Sequence, residues 1–319
     1  MHMKKIPVII DCDPGTDDAL MLLLAFASKN IDVLAVTAAA GNLDVCQTSL
    51  NVMKILDFLG KTEIPVAEGA EKPLARECRP AGKMHGKTGL GTLELPLPSF
   101  KIQEKKAVDL TGGILQNLHK KSEKYEKVTL ICTAPLTNTA LLLEKYPECK
   151  SKIEKIILMG GGLEHGNCTP AAEFNMLFDP EAAQAVFSSG IPIVMCALDM
   201  TEKAFISFDE IKELRQIPGK AAAAACELLE FMQVFHKKMG HSGVFLHDPA
   251  TIGFLLHPEF FSTQDFSIEI ENQGRFTTGM TVADRRKSPF SKKPNAKVCV
   301  DLDRKAFVCF VKECLHSLP

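Results

Sequence analysis

Apolar residues along the chain fall into two alternating patterns. Short β-branched runs at 6–10, 31–37, 64–66, 128–133, 155–159 and 191–197 are separated by longer stretches of helical periodicity at 17–28, 43–59, 107–124, 136–146 and 180–189. Strands apolar on both faces and spaced by helices predict a mostly parallel sheet with helices on both sides, an α/β fold. After Ile206 the pattern turns mainly helical, the Ala-rich stretch 220–239 being the clearest helix. Strand-like runs at 266–271 and 298–300 and a helix from about 304 close the chain. Residues 69–100, rich in Gly, Pro and basic side chains, have the composition of a long functional loop. No internal repeat, low-complexity tract or Pro/Ser-rich linker marks a boundary, so one domain over 1–319 is expected.

Ligands of open parallel sheets bind beyond the carboxyl ends of the strands, and the polar clusters of this sequence fall at such ends. The first cluster places four aspartates in eight residues, Asp11, Asp13, Asp17 and Asp18, between the first strand and the first helix. Asp11 and Asp13, two apart at a strand end, are expected to point the same way. Asp17 and Asp18 sit in the first helical turn, where the helix dipole favours anions, and Gly15 allows the tight turn between the pairs. Carboxylates ~4 Å apart repel by roughly 4 kcal/mol at an effective dielectric near 20, so the group needs a cation, a proton or separation. A hard divalent metal is the simplest answer. Helix capping accounts for one or two of these acids but not four. An alternative is a metal-dependent phosphatase, because Asp11-Cys12-Asp13 has the spacing of a magnesium-assisted aspartyl nucleophile; Pro14-Gly15 and the tandem Asp17-Asp18 do not belong to that pattern.

Composition narrows the partners. A formal net charge of −2, with both signs spread along the chain, provides no electrostatic footprint for nucleic acid or anionic membrane. The longest wholly apolar run, 19–27, is nine residues, too short to span a bilayer, and no signal-peptide pattern opens the chain. Eleven cysteines without CxxC or Cys/His spacing argue against a disulfide framework and structural zinc. A soluble cytoplasmic protein with reduced thiols and a small-molecule ligand is expected.

DCDPGTDDAL resembles the signature of the nucleoside hydrolases, calcium-dependent enzymes that split ribonucleosides into ribose and base. Further parts of that pattern follow in order. Gly41-Asn42 comes after the second strand and Thr133-Ala134-Pro135-Leu136-Thr137-Asn138 after a middle strand. Gly160-Gly161-Gly162 is followed by the segment 166–175, and His247-Asp248-Pro249 opens a late helix; Thr278-Gly279-Met280-Thr281 and a final helix end the match. The resemblance implies a Rossmann-like nucleoside hydrolase fold and one Ca2+ per subunit, held by the carboxylates of Asp13, Asp18 and Asp248 and the backbone carbonyl of Thr133, with Asp11 orienting them from behind. Asp248 before Pro249 is also a good N-cap, as is Asp179 before Pro180, so Asp248 is expected to serve both purposes. Asp17 is the candidate general base, taking a proton from a metal-bound water aimed at the anomeric carbon. The departing base leaves an oxocarbenium-like ribosyl cation that carboxylates stabilise.

Asn42, Asn167, Glu173 and Asn175 match the family's sugar-binding positions. Glu173 and Asn175, two apart, are expected to face one way from an extended segment, with Phe174 closing over the sugar or packing inward. His247, beside a metal ligand, is placed to protonate the leaving base, and His85 resembles a second base-side histidine. Relatives often carry Tyr and Arg shortly before His-Asp-Pro, whereas this chain has Phe231-Met232-Gln233-Val234-Phe235-His236-Lys237-Lys238-Met239, where His236 or Lys237 could substitute. The sequence thus predicts calcium-dependent hydrolysis of inosine- and uridine-type ribonucleosides, in purine and pyrimidine salvage, by a homodimer or homotetramer. A ribose-binding protein of the same fold without turnover is a second alternative.

Overall fold

The computed structural model describes residues 5–78, 81–118, 125–286 and 291–318. Its centre is an eight-stranded sheet built from β1 (Ile6–Cys12), β2 (Ile31–Ala38), β3 (Val66–Glu68), β4 (Val128–Cys132), β5 (Ile153–Met159), β6 (Ile193–Cys196), β9 (Phe261–Phe266) and β12 (Ala296–Leu302). The spatial order is β3-β2-β1-β4-β5-β6-β12-β9. All neighbours pair in parallel except β12 and β9, so the expected parallel sheet carries one antiparallel edge. Two-stranded pairs of β7 (Phe205–Ser207) with β8 (Gly243–Phe245) and of β10 (Ile268–Ile270) with β11 (Thr281–Ala283) lie outside it.

Alternation along the central strands divides the core into two layers. Val8, Ile10 and Cys12 of β1 pack on one face of the sheet, together with helices α1 (Thr16–Ala27) and α2 (Val45–Phe58). Ile9 turns to the other face, where Val128, Leu130 and Cys132 of β4 meet α3 (Ala107–Gln116), α4 (Thr137–Lys145) and, beyond the short α5 (Phe174–Phe178), α6 (Pro180–Phe187). Helix α1 is buried at every position from Thr16 to Ala25. It lies between the sheet and α9 (Lys220–Lys238), α10 (Pro249–Leu256) and α11 (Arg304–Ser317), which is why its sequence beyond the first turn is apolar all round. Two short helices, α7 (Leu198–Thr201) and α8 (Phe208–Leu214), complete the α-helices among the described residues.

Several boundaries differ from the sequence reading. The third strand runs Val66–Glu68 and not 64–66, because its register with Val36 to Ala38 of β2 carries it further toward the carboxyl edge. The helix expected over 107–124 ends at Gln116, with Asn117 capping it; 119–124 fall outside the described residues. The run 266–271 is not one strand, since Ser267 separates β9 in the large sheet from β10 in the small one. Among the described residues, no helix is long and apolar enough to cross a membrane.

The order of strands reverses between β1 and β4: β2 and β3 continue to one side, β5 and β6 to the other. Connections leaving that point in opposite directions open a crevice beyond the strand ends. The core behind it is tight. Phe307 of α11 is fully buried, its ring 6.2 Å from Phe261 and 6.3 Å from Phe310 between centroids, and a Cβ on Gly253 would fall 2.7 Å from it. Phe307→Ala is expected to lower unfolding stability by about 3–5 kcal/mol, read from the urea midpoint; a loss below about 1 kcal/mol would mean that this layer does not hold the fold.

Candidate active site

Beyond β1 and β4 lies an open cavity of about 1080 Å3, lined by Asp17, Asn42, His85, Thr133, Asn167, Glu173, Phe174, Asn175, His247 and Asp248. Ten of the residues singled out from the sequence therefore meet on one surface, although they are spread from the first helix to the tenth. Asp11, Asp13 and Asp18 lie beneath it, 6%, 1% and 0% exposed.

Each acid is held differently. Asp11, on the Ile9 face of β1, accepts hydrogen bonds at Oδ1 from Thr37 Oγ1 (2.5 Å) and Asn138 Nδ2 (2.8 Å). Asp13 accepts the Asn42 backbone N–H at Oδ2 (2.6 Å). Asp18 accepts Thr133 Oγ1 (2.7 Å), the Gly15 N–H (3.1 Å) and Asn42 Nδ2 (3.3 Å). Asp248 does not cap α10: its own backbone is helical and its side chain makes no capping bond. The expected double duty is corrected, because the carboxylate turns to Asp17 and Asp18, and ligand oxygens of these three lie within 4.8 Å of one another. Asp179, by contrast, does cap α6, accepting the Ala182 N–H (3.1 Å).

Burial pushes the Asp11 carboxyl up to about 6 and that of Asp18 up to about 7. Asp13 and Asp248 are driven well above the usual carboxylate range, by burial first and then chiefly by Asp18 and Asp17 respectively. Asp11 Oδ2, Asp13 Oδ1 and Asp17 Oδ1 are buried without hydrogen-bond partners. Among the described residues the nearest basic group is His85, whose Nδ1 lies 3.9 Å from Asp17 Oδ1. Orphaned carboxylate oxygens with no ammonium or guanidinium beside them are the donor set of a hard divalent cation, so the residues fit one.

The glycines here serve close approach. Gly15 has φ −90°, open to any residue, so the turn does not require it. A Cβ there would stand 2.6 Å from His85 Nδ1 and 2.9 Å from Asn42 Nδ2, and one on Gly41 would stand 2.1 Å from Asp13 Oδ2.

Glu173 and Asn175 do not share an extended segment: Glu173 caps α5 and Asn175 lies within it. The Glu173 carboxylate accepts the Gly161 and Met176 N–H groups (2.9 and 3.2 Å). Asn175 Nδ2 donates to the carbonyls of Thr133 (2.8 Å) and Met159 (3.1 Å), and Asn167 Oδ1 accepts the Phe174 N–H (3.0 Å). Each is thereby fixed by backbone while still facing the cavity.

Both histidines are oriented by threonines that carried no signal in the sequence. Thr201 Oγ1 lies 2.8 Å from His247 Nδ1, leaving Nε2 for the cavity. The Thr16 N–H donates to His85 Nδ1 (3.2 Å), which places that ring's proton on Nε2. Burial lowers the His247 pKa. Beyond His247 the wall becomes apolar, with Met232, Phe235, Met239 and Phe245 around His236 and His241. Lys237 does not line the cavity; its ammonium sits 4.8 Å over the Phe208 ring.

Residues 8–309 match the family described as inosine-uridine preferring nucleoside hydrolase. The chain belongs to this family. It is 47% identical over 310 residues to the pyrimidine-specific ribonucleoside hydrolase RihA of an Enterobacter species, covering 97% of each chain. It is likewise 47% identical over 305 residues to a protein of the same name from Escherichia coli, covering 95% of this chain and 96% of that one. Among solved structures, the purine-preferring ribonucleoside hydrolase from Gardnerella vaginalis superposes with a TM-score of 0.88 at 28% identity, covering 97% of this chain and 98% of that one. An inosine-guanosine nucleoside hydrolase does so with a TM-score of 0.87 at 26%, with the same coverage. The chain is a ribonucleoside hydrolase, cleaving N-glycosyl bonds. The phosphatase alternative also lacks an accessible nucleophile, since Asp11 is buried and does not line the cavity.

A raised carboxyl pKa means that the native hydrolase binds more protons than the unfolded chain, so the stability these groups contribute is full below about 3.8 and lost as pH rises through about 6 for Asp11 and about 7 for Asp18. A cation on the acids reverses that slope. The rise in Tm on adding a divalent cation to chelator-treated hydrolase is therefore expected to grow from about pH 4 to about pH 7. A rise that is flat or shrinks over this range would show that no cation binds the buried carboxylates.

Proposed function

We propose that the hydrolase uses one Ca2+ at the buried acids and acts on pyrimidine ribonucleosides. The observation that carries the metal is that ligand oxygens of Asp17, Asp18 and Asp248 lie within 4.8 Å of one another at the switch point of the sheet, with Asp13 Oδ1 also buried and unpartnered. Asp13, Asp18 and Asp248 with the Thr133 carbonyl would hold the ion, an all-oxygen set suited to calcium. When bound, the cation would acidify a water and grip ribose hydroxyls. The pyrimidine preference rests on the RihA relatives, which are far closer in sequence than the purine-preferring one.

The remaining steps belong to the protein. Asn42, Asn167, Glu173 and Asn175 bind the ribose, each preset by the bonds to backbone or carboxylate described above, so little ordering is left to binding. Asp17, at the cavity surface with Oδ1 unpartnered, takes a proton from the attacking water. The water oxygen bonds to the anomeric carbon as the bond to the base nitrogen breaks, and that electron pair stays with the base. His247, oriented by Thr201, supplies the proton to the departing base, and His85 Nε2–H is a second donor on the cavity lining. Direct displacement gives ribose and free base without a covalent intermediate, the flanking carboxylates stabilising the ribosyl cation character of the transition state.

In assays of uracil release from uridine, Asp17→Asn is expected to lower kcat by about 10²–10⁴-fold while calcium and ribose binding persist. Asp13→Ala is expected to lose calcium affinity together with turnover. Near-normal turnover in Asp17→Asn would remove Asp17 from the role of base and pass it to a carboxylate such as Asp13. Activity that survives exhaustive chelation would dismiss the metal.

A further inference from the structure

Helix α9 presents Met232, Phe235, His236 and Met239 to the cavity, spaced as one helical face. His236 is the polar member of that stripe and is only 7% exposed. Its Nδ1 is buried without a hydrogen-bond partner. The ring meets Phe245 edge to face at 4.8 Å, with His241 at 5.5 Å and Phe235 at 6.0 Å. Phe245 in turn lies 5.8 Å from His247, so the rings run as a wall from the leaving-group end of the carboxylate site toward His236. Burial, with His247 and His241 adding to it, pushes the His236 pKa down to about 4, and the imidazole is neutral near pH 7.

A neutral imidazole carries one donor and one acceptor, and a buried one without a protein partner is destabilising where Met or Phe would pack at no such cost. Nδ1 is sealed off, so Nε2, which makes no hydrogen bond to the described residues, is the nitrogen left to meet a ligand in the cavity that His236 lines. We propose that His236 is a specificity-determining residue that hydrogen-bonds, through Nε2, the polar edge of a pyrimidine base remote from the glycosidic bond. Uracil offers N3–H and a carbonyl on that edge, and cytosine offers an unprotonated N3 and an amino group. One tautomer of His236 accepts from the first and the other donates to the second, so a single side chain serves both bases. Phe245 and Phe235 contribute apolar surface for the ring itself. The inference rests on the proposed pyrimidine nucleosidase reading, with the base turned toward this wall.

The test compares wild-type protein, His236→Phe and His236→Gln on uridine, cytidine and 4-nitrophenyl riboside, whose leaving group has no pyrimidine edge, and adds calorimetric binding of uracil. The Phe variant removes an unsatisfied nitrogen from an apolar wall and is expected to keep or raise Tm, which certifies folding. Its loss of kcat/KM on uridine and cytidine should exceed its loss on the 4-nitrophenyl riboside at least tenfold, mostly through KM, with a matching loss of uracil affinity. Gln, which keeps a donor and an acceptor, should recover part of it. Equal losses on all three substrates, or unchanged uracil binding and KM in the Phe variant, would overturn the assignment of His236. Failure of the wild-type protein to release base from either nucleoside would instead count against the proposed function, and uracil binding would still decide the role of His236.

Discussion

Mutual repulsion among carboxylates buried at one sheet edge is the constraint around which this molecule is arranged. Four aspartates from one short segment and a fifth from the start of α10 converge where the strand order reverses. Three of their oxygens are left unpartnered, with burial raising the pKa of Asp11, Asp13, Asp18 and Asp248. No fold adopts that arrangement for stability, since each unpaired charge in a low-dielectric region is costly. It persists because the surroundings over-determine it. Thr37 and Asn138 pin Asp11, the Asn42 backbone pins Asp13, and Thr133 and Gly15 pin Asp18. A preset anionic pocket is what a cation and a cationic transition state can both use.

The cavity divides chemically along its length. At its floor Asn42, Asn167, Glu173 and Asn175 are tied to backbone or to a neighbouring carboxylate, so they have little freedom to lose. Beyond His247 the wall changes to aromatic rings and thioethers from α9 and β8, with few fixed hydrogen bonds. The floor suits a sugar, which carries several hydroxyls in fixed directions. The outer wall suits a flat base, and the relatives differ in their named base preferences while keeping the fold. Gly91 closely approaches helix α9: a Cβ on it would strike the Phe231 ring at 2.6 Å.

Much of the architecture could be read along the chain. The β1 and α1 segments and the acids between them carry short-range signals, a fully apolar run and charges at a helix start, and these survive folding unchanged. Boundaries moved where pairing decides them, as for β3, whose register with β2 shifts it toward the acids. Glu173 and Asn175 look like a two-residue alternation in sequence, yet Glu173 N-caps a one-turn helix because its carboxylate accepts Met176 N–H. Asp248 before proline reads as a cap, but its carboxylate is drawn to a site that only residues more than two hundred positions away can create.

By itself, then, the sequence determined the strand-helix alternation, the acidic cluster and the motif order that places the chain in its family. These depend on local periodicity and on residue type, which need no knowledge of neighbours in space. Only the tertiary structure decided which acids lose their partners, how Thr201 and Thr16 orient the two histidines, and that His236 rather than Lys237 faces the cavity. Burial, tautomer and hydrogen-bond satisfaction are properties of groups brought together across the chain, and no window of sequence contains both partners.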